Sequence, residues 1–285
     1  NAIKPIAELV SGFIFASVTV GDVSIPLIVV WLVAGGLYFT FYLRFLPARA
    51  LGVAIDIVRG KYDDPDDKGE VSHFQALATA LSGTVGIGNI GGVAVAVTAG
   101  GPGAIFWMVL AGVLGMSSKL AECTLAVKYR KENPDGTISG GPMYFLEYGL
   151  KERNLGGLGK SLGVFYAVAI IFGCVGGGNM FQSNQAYEQF VLVTGGDASW
   201  FADKAWLFGL ILAVAVGVVI IGGIQGIAKV TEKLVPGMAL LYVATGLVIL
   251  AMNADKIPGA VGMIIGGAFA PKAVAGGAIG ALIQG

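Results

Sequence analysis

Long apolar stretches constrain this sequence more than any other feature. An α-helix needs about 20 apolar residues to cross the roughly 30 Å hydrocarbon core of a bilayer. Six segments meet that requirement, and a weaker Gly-rich apolar stretch follows them at 257–285. The six segments are 25–46, 74–98, 104–127, 162–193, 205–224 and 234–252. Because backbone polar groups in lipid must be paired within the protein, this pattern predicts an all-α integral membrane protein.

The composition agrees with a lipid environment. The chain is 55% hydrophobic and 13% charged, whereas about a quarter of the residues of a soluble domain are charged. Its 18 basic and 18 acidic residues cancel, which gives no reason to expect nucleic acid as a partner. Cys123 and Cys174 both lie in apolar stretches, so neither a disulfide framework nor a Cys/His metal site is expected. We expect the lipid bilayer as surroundings and no cofactor, and the oligomeric state is left open.

Basic residues gather in alternate connections between the predicted spans. Lys and Arg collect in the cytoplasmic loops of membrane proteins. They surround the first, third and fifth connections, at Arg44, Arg49, Arg59, Lys61 and Lys68, then Lys128, Arg130, Lys131, Lys151, Arg153 and Lys160, then Lys229 and Lys233. We therefore expect a multi-pass protein of the cell (inner or plasma) membrane with its N-terminus outside. Residues 1–24 are expected to form an extracytoplasmic interfacial segment, as a short helix.

A glycine run interrupts the second predicted span. Residues 82–92 read SGTVGIGNIGG, and each glycine costs about 1 kcal/mol relative to alanine in a helix. The helix should therefore break near the middle of the membrane, with an extended segment between about Gly83 and Asn89. Unwound backbone at that depth is tolerated only where it is buried in protein or lines a polar cavity. A broken helix consequently indicates a binding site.

The two ends of such a break differ in chemistry. The N-terminal end of the outer half-helix offers N–H groups and a partial positive charge suited to a carboxylate. The C-terminal end of the inner half-helix offers carbonyls suited to Na⁺, which places a sodium site on the backbone near Gly83 and Val85. Discontinuous helices hold substrate and ion in this way in transporters. The candidate substrate-binding residues at the break are Thr84, Gly86, Gly88 and Asn89.

Two other interpretations of the glycine run stay open at this point. The glycines alone are equally compatible with close helix packing, although the polar Thr84 and Asn89 within the run argue against it. Gly86, Gly88 and Gly91 also match a dinucleotide-binding fingerprint, G-x-G-x-x-G. That fingerprint requires a preceding strand and an acidic residue about 20 positions later, and the sequence has neither.

The fourth predicted span carries a second group of polar residues. Five of the seven residues at 179–185 are Asn, Gln or Ser, and an unpaired amide in apolar surroundings costs about 1 to 3 kcal/mol. The run predicts a polar cavity, with Asn179 and Gln182 on one helical face as substrate-binding candidates. Hydrogen bonding between helices without a ligand is the alternative. No arrangement of nucleophile, base or paired carboxylates suggests an enzyme.

Several runs of residues resemble the alanine or glycine:cation symporter family. The two longest are ALSGTVGIGNI at 80–90 and GGPGAIFWM at 100–108. Shorter matches are KLAE at 119–122, AVKYR at 126–130, GGPMY at 140–144 and GNMxQ at 178–182. The resemblance extends over most of the chain from about Gly36 onward.

The resemblance implies a five-plus-five inverted-repeat fold of the leucine-transporter kind, found in the amino-acid/polyamine/organocation superfamily. The leading helix would be 25–46 and the first five-helix repeat 74–252. Residues 253–285 would be the Gly-rich start of the region leading to a second repeat that is absent after Gly285. Within the repeat, the discontinuous first helix would hold Thr84 to Asn89. The third helix would hold Asn179 and Gln182.

The same resemblance implies the function. It predicts Na⁺-driven uptake of alanine or glycine by alternating access, with H⁺ less favoured as coupling ion. Related folds share the sodium site with a helix of the second repeat, so the resemblance names no side-chain ligand here. A passive channel or a non-transporting membrane subunit is the alternative. The uncharged polar lining favours a transporter, because ion channels more often show charged rings or repeated carbonyl filters.

Overall fold

A computed structural model describes residues 16–20, 23–63 and 69–270, together with residues 5, 12, 14, 273, 274, 276 and 277. Most of these residues are helical. The helices are α1 (Leu27–Tyr42), α2 (Leu46–Arg49), α3 (Leu51–Val58), α4 (His73–Thr84), α5 (Gly88–Gly100), α6 (Ala104–Lys128), α7 (Pro142–Lys151), α8 (Gly156–Val193), α9 (Ala205–Ile220), α10 (Gly223–Met252) and α11 (Ile257–Gly267). Short 3₁₀ turns occupy Gly196–Ala198 and Ala254–Lys256. Two hairpins pair β1 (Ser17–Val20) with β2 (Val23–Pro26) and β3 (Lys131–Glu132) with β4 (Ile138–Ser139).

Each of the six predicted spans contains an apolar helix. Helices α6, α8 and α10 are each long and apolar enough to cross a membrane, and α4 and α5 qualify together as one broken span. Helices α1 and α9 are apolar but shorter, at 16 residues each. Two helices begin earlier than predicted, α8 at Gly156 and α10 at Gly223, because a helix can continue beyond its apolar stretch into polar surroundings. The helical membrane protein predicted from the sequence is thereby supported.

Large apolar side chains face outward while small residues fill the interior. Trp31 is 78% exposed, Phe172 74% and Leu241 72%. Ala78 and Ala96 are buried. A soluble monomer rarely exposes so much contiguous apolar surface, whereas membrane helices use small residues where their backbones approach each other. The exposed surface is therefore the kind that lipid covers.

The chain divides into two compact units, which are Asn1–Gly52, Ile87–Ala121 and Leu240–Gly285 for the first and Val53–Gly86 and Glu122–Ala239 for the second. The first unit has a core of Ala96, Ala104 and Met108. Its helices pack closely, since a Cβ built on Gly36 of α1 would lie 3.1 Å from Leu114 Cβ of α6.

In the second unit, α7 packs against the first turns of α8. A Cβ built on Gly159 would lie 2.6 Å from the carbonyl oxygen of Leu146, and one on Gly163 would lie 2.8 Å from that of Met143. Two glycines four residues apart thus provide a groove on α8 into which the α7 backbone fits.

The β1–β2 hairpin differs from the interfacial helix predicted for residues 1–24. Ser17–Val20 pairs antiparallel with Val23–Pro26. The sequences SVTV and VSIP are rich in β-branched residues, which favour strands over helices, so the helix was wrong for 17–24, whereas the described residues 5, 12 and 14 are helical. Most of residues 1–15 lie outside the described residues, as does 278–285 in the stretch predicted at 253–285.

Candidate functional site at the broken span

The predicted break is present but shorter than expected. Helix α4 ends at Thr84, Val85 is extended with φ −89° and ψ 111°, and the helix resumes at Ile87. Gly83 is still helical, and Gly88–Gly92 form a π-helical turn rather than the predicted extended segment. Glycine lowers helix stability by only about 1 kcal/mol, whereas backbone groups in apolar surroundings cannot remain unpaired. The chain therefore unwinds over Val85 and Gly86 alone.

The start of α4 is defined by a capping box. Ser72 Oγ accepts a hydrogen bond from the Gln75 backbone N–H at 3.2 Å, and Gln75 Oε1 accepts one from the Ser72 N–H at 3.1 Å. Reciprocal bonds of this kind satisfy two of the free N–H groups at a helix N-terminus. With its start set at His73 and its end at Thr84, α4 is a 12-residue half-helix. Its termination leaves carbonyls of the last turn without helical N–H donors.

The Gln182 side chain lies directly over the break. A Cβ built on Gly86 would be 3.0 Å from Gln182 Nε2 and 3.1 Å from Oε1. Both residues belong to the second unit. A primary amide carries two donors and an acceptor, so this arrangement places an uncharged hydrogen-bonding group at the unwound backbone. Two residues chosen from the sequence as candidates are thus brought together.

The other predicted residues occupy different settings. The Thr84 hydroxyl donates to the Ala80 carbonyl at 2.8 Å within its own helix. The Asn179 carbonyl accepts a hydrogen bond from the Ser183 hydroxyl at 2.9 Å. Gly88 and Asn89 lie in the π-helical turn, in the first unit.

A second π-helical segment went unpredicted. Cys174–Met180 winds as a π-helix inside α8 and ends two residues before Gln182. Short π-helical insertions occur frequently at functional sites. The glycines of this segment were the available signal, since they weaken the α-helix there. Of the two candidates predicted in this span, Asn179 lies within the π-helical segment and Gln182 follows it.

Polar contacts between α4 and α10 were also missed. Gln75 Nε2 donates to Glu232 Oε2 at 2.7 Å, and the Thr79 and Thr231 hydroxyls are 3.1 Å apart. All four side chains are half-buried. Within α10, Pro236 lacks a backbone N–H. It therefore cannot donate the helical hydrogen bond that the Glu232 carbonyl, four residues earlier, would otherwise accept. No sequence signal reveals pairs separated by more than 150 positions.

The β3–β4 hairpin is tied to the segment that precedes α4. The Ile138 N–H donates to Glu70 Oε1 at 2.9 Å. Within the hairpin, the Thr137 hydroxyl and N–H donate to Asp135 Oδ1 at 2.7 and 3.0 Å. These two hydrogen bonds hold the pKa of the Asp135 carboxyl below its usual value.

Among the described residues, no group of three or more His, Cys, Asp or Glu is suited to hold a metal ion. These residues therefore do not offer a cation a cage of carboxylate or imidazole ligands. Backbone carbonyls at a helix end are hard oxygen ligands, and the C-terminal end of α4 supplies them. This donor set is compatible with Na⁺.

Apolar helices and a span broken beside an amide side chain define a helical multi-pass membrane protein. The profile of the sodium:alanine symporter family matches residues 13–285, and the chain belongs to that family. The family resemblance seen in the sequence is thereby confirmed. Its members are transporters rather than enzymes, as the sequence predicted.

Three relatives illustrate the range of the family. The chain is 44% identical over 259 residues to the sodium/alanine symporter AgcS of Methanococcus maripaludis, covering 91% of this chain and 55% of the relative. It is 43% identical over 249 residues to an uncharacterized transporter of Haemophilus influenzae, covering 87% and 51%. It is 36% identical over 260 residues to the probable sodium/glutamine symporter GlnT of Bacillus subtilis, covering 91% and 51%. The chain spans about half the length of the curated relatives it matches.

Proposed function

We propose that this chain is part of a secondary active transporter that couples inward Na⁺ movement to uptake of alanine or glycine by alternating access. Family membership supports Na⁺ as the coupling ion, and a relative named as a sodium/alanine symporter supports the substrate. The protein would lie in the cell membrane with its N-terminus outside, as the distribution of basic residues predicts.

One observation carries the proposal, namely the position of the Gln182 amide against the backbone of Gly86. An amino acid at neutral pH is a zwitterion, and it needs both donors and acceptors without a net countercharge. The Gln182 amide offers both. The carboxylate would meet N–H groups at the start of the outer half-helix. The ammonium group would meet the amide oxygen or backbone carbonyls.

The proposed substrate site comprises Thr84, Gly86, Gly88, Asn89, Asn179 and Gln182. Carbonyls near Gly83 and Val85, at the C-terminal end of α4, would supply part of the sodium site. Opposite helix ends would thus receive the two opposite charges, anion at an N-terminus and cation at a C-terminus. The site would be small, because glycine backbone stands where side chains otherwise would.

For the fold, we propose the five-plus-five inverted-repeat architecture, with α1 as the leading helix and residues 74–252 as the first repeat. The broken span at α4 and α5 supports this assignment, since discontinuous helices line the substrate sites of such transporters. Residues 253–285 would lead toward the second repeat.

The test is counterflow of labelled alanine into proteoliposomes, with the full-length protein and with or without Na⁺. Uptake against a gradient that requires Na⁺ is expected. A passive channel would equilibrate alanine without accumulating it, and a non-transporting subunit would give no flux. H⁺ coupling would appear as accumulation driven by a pH gradient in the absence of Na⁺.

Competition in the same vesicles tests substrate class. Glycine should displace alanine, while leucine and lysine should compete weakly. One methylene changes binding by only about 1 to 3 kcal/mol, so the discrimination should be graded. Strong competition by glutamine would instead indicate a glutamine transporter, as the name of the GlnT relative describes that protein.

A further inference from the structure

We propose that the cleft between the C-terminal end of α6 and helix α7 binds an anionic phospholipid, with its phosphate on Arg153 and an acyl segment against the apolar wall. Such a lipid site would be independent of the transported substrate. It lies in the second unit and is formed by neither the broken span nor the Gln182 amide.

The lining of the cleft combines one charged side chain with apolar ones. Its volume is about 280 Å³, and it is lined by Leu125 and Tyr129 from the end of α6, by Phe145, Leu146 and Leu150 of α7, and by Arg153. Apolar surface beside a cation matches the two-part chemistry of a lipid, in which an acyl chain is attached to a charged phosphate.

The walls of the cleft are held in place by independent contacts. Helix α7 is seated on Gly159 of α8, where a Cβ would lie 2.6 Å from the Leu146 carbonyl. On the opposite wall, the Tyr129 hydroxyl donates to Glu152 Oε2 at 2.7 Å. A Cβ on Gly149 would be in ordinary contact with the Tyr129 ring at 3.4 Å. Gly149 and the Tyr129 ring therefore approach closely, and a side chain larger than that of alanine at position 149 would meet the ring.

The cleft lies at the level where lipid headgroups are found. Helix α6 has 25 residues, which at 1.5 Å each extend over about 37 Å, more than the roughly 30 Å hydrocarbon core. Leu125 is in its last turn and Lys128 is its final residue. Tyr and Trp concentrate at membrane interfaces, and Tyr129 lines the cleft.

The charge at this end of the molecule favours an anion. Lys128 Nζ lies 5.0 Å from the centroid of the Tyr129 ring, which places a second cation beside the cleft. Residues 128–160 hold six basic side chains and four acidic ones. Of the acidic ones, Glu152 is engaged by Tyr129. Guanidinium groups bind phosphate through two parallel hydrogen bonds, and basic pockets at helix ends bind anionic headgroups.

The experiment measures lipid binding by the purified full-length protein. Delipidated protein is titrated with phosphatidylglycerol or phosphatidylcholine, and bound lipid is counted by native mass spectrometry alongside the thermal midpoint. Phosphatidylglycerol should bind and raise the midpoint more than phosphatidylcholine. Arg153→Ala should weaken phosphatidylglycerol binding about fivefold, the effect of one basic residue near a charged surface. Arg130→Ala, the same substitution at a residue that does not line the cleft, should leave binding nearly unchanged.

A second variant tests the apolar wall. Gly149→Leu should fill the cleft and displace the acyl segment, whereas Gly149→Ala should be accommodated. Equal losses in Arg153→Ala and Arg130→Ala would reduce the effect to surface charge and overturn the proposal. Equal binding of the two lipids would contradict the proposed preference for an anionic headgroup and overturn the proposal. Lipid binding that none of the variants changes would mean that another part of the full-length protein covers the cleft, which also overturns it.

Discussion

The amide of Gln182 lies so close to the backbone of Gly86 that a Cβ built on Gly86 would be only 3.0 Å from Gln182 Nε2. Gly86 is at the two-residue break in the second span, and Gln182 lies two residues after a π-helical segment of α8. Irregular backbone and a polar side chain therefore meet at one point within otherwise apolar helices.

Gly86→Ala should weaken amino-acid binding. The new Cβ would crowd the Gln182 amide, which would have to shift by a few tenths of an ångström and would lose its proposed alignment with the substrate. A lost hydrogen bond of about 1 to 1.5 kcal/mol corresponds to roughly tenfold lower affinity. Alanine binding to the purified protein measures this, with Gly115→Ala as control because a Cβ there meets no atom within 4 Å. Equal alanine affinity in the two variants would show that the position of the Gln182 amide at the break does not affect binding.

Gln182→Ala and Asn89→Ala should each reduce alanine affinity tenfold to hundredfold. The range follows from about 1 to 3 kcal/mol, with the upper limit for a ligand charge left unpaired. Purified, monodisperse protein is required, so that folding yield and affinity are measured separately. Gln189→Ala is the matched change at an exposed position of α8. If both candidates merely join helices, yield falls and the affinity of the surviving protein does not.

Glu232→Ala should lower thermal stability, because it removes the carboxylate that accepts from Gln75 Nε2 at 2.7 Å. A hydrogen bond to a charged group contributes about 1.5 to 3 kcal/mol, and half-burial of this pair places the effect at the lower end. Glu188→Ala changes an exposed glutamate of α8 and serves as control. The double variant with Gln75→Ala should be less destabilised than the sum of the singles, and strict additivity would argue against the pairing.

Gly159→Ala should destabilise the packing of α7 on α8. The added methyl would lie 2.6 Å from the Leu146 carbonyl oxygen and 3.0 Å from that of Glu147. Backbone cannot turn away as a side chain can, and overpacking of this kind costs about 1 to 3 kcal/mol. Gly157→Ala, two residues earlier with nothing within 4 Å, should be neutral or stabilising. The thermal midpoints of both variants in detergent measure this difference, and equal midpoints would contradict the close packing at Gly159.

The β3–β4 hairpin should loosen in acid. Hydrogen bonds from Thr137 lower the pKa of Asp135, so the folded hairpin favours the ionised carboxylate. A carboxylate whose pKa is lowered by folding stabilises the hairpin fully at pH values above the ordinary Asp pKa of about 3.9. This stability is lost as the pH falls through the lowered pKa of the folded hairpin. Hydrogen exchange of residues 131–139 against pH measures this. Thr137→Val should weaken the pH dependence, and a profile identical to wild type would contradict the assignment.

Much of the fold was predictable because its causes are local. Hydrophobic length is a property of contiguous residues, and all six predicted spans contain apolar helices. The break was predictable from the glycines at 83–92, but its extent was not. Propensity identifies where a helix is weak, while the π-helical turn at Gly88–Gly92 shows how the backbone remains paired despite that weakness. The β1–β2 hairpin was missed because the apolar pattern was given more weight than its β-branched residues.

Apolar length and glycine content were thus sufficient to specify a helical membrane protein with an interrupted second span. The partners of the polar residues followed only from three-dimensional packing. Gln182 faces Gly86, and Gln75 bonds Glu232 across 157 positions of sequence. Such pairs depend on how each helix is rotated and shifted against its neighbours. Close contacts such as Gly159 at Leu146 set those positions, and the periodicity of a single helix contains no information about them.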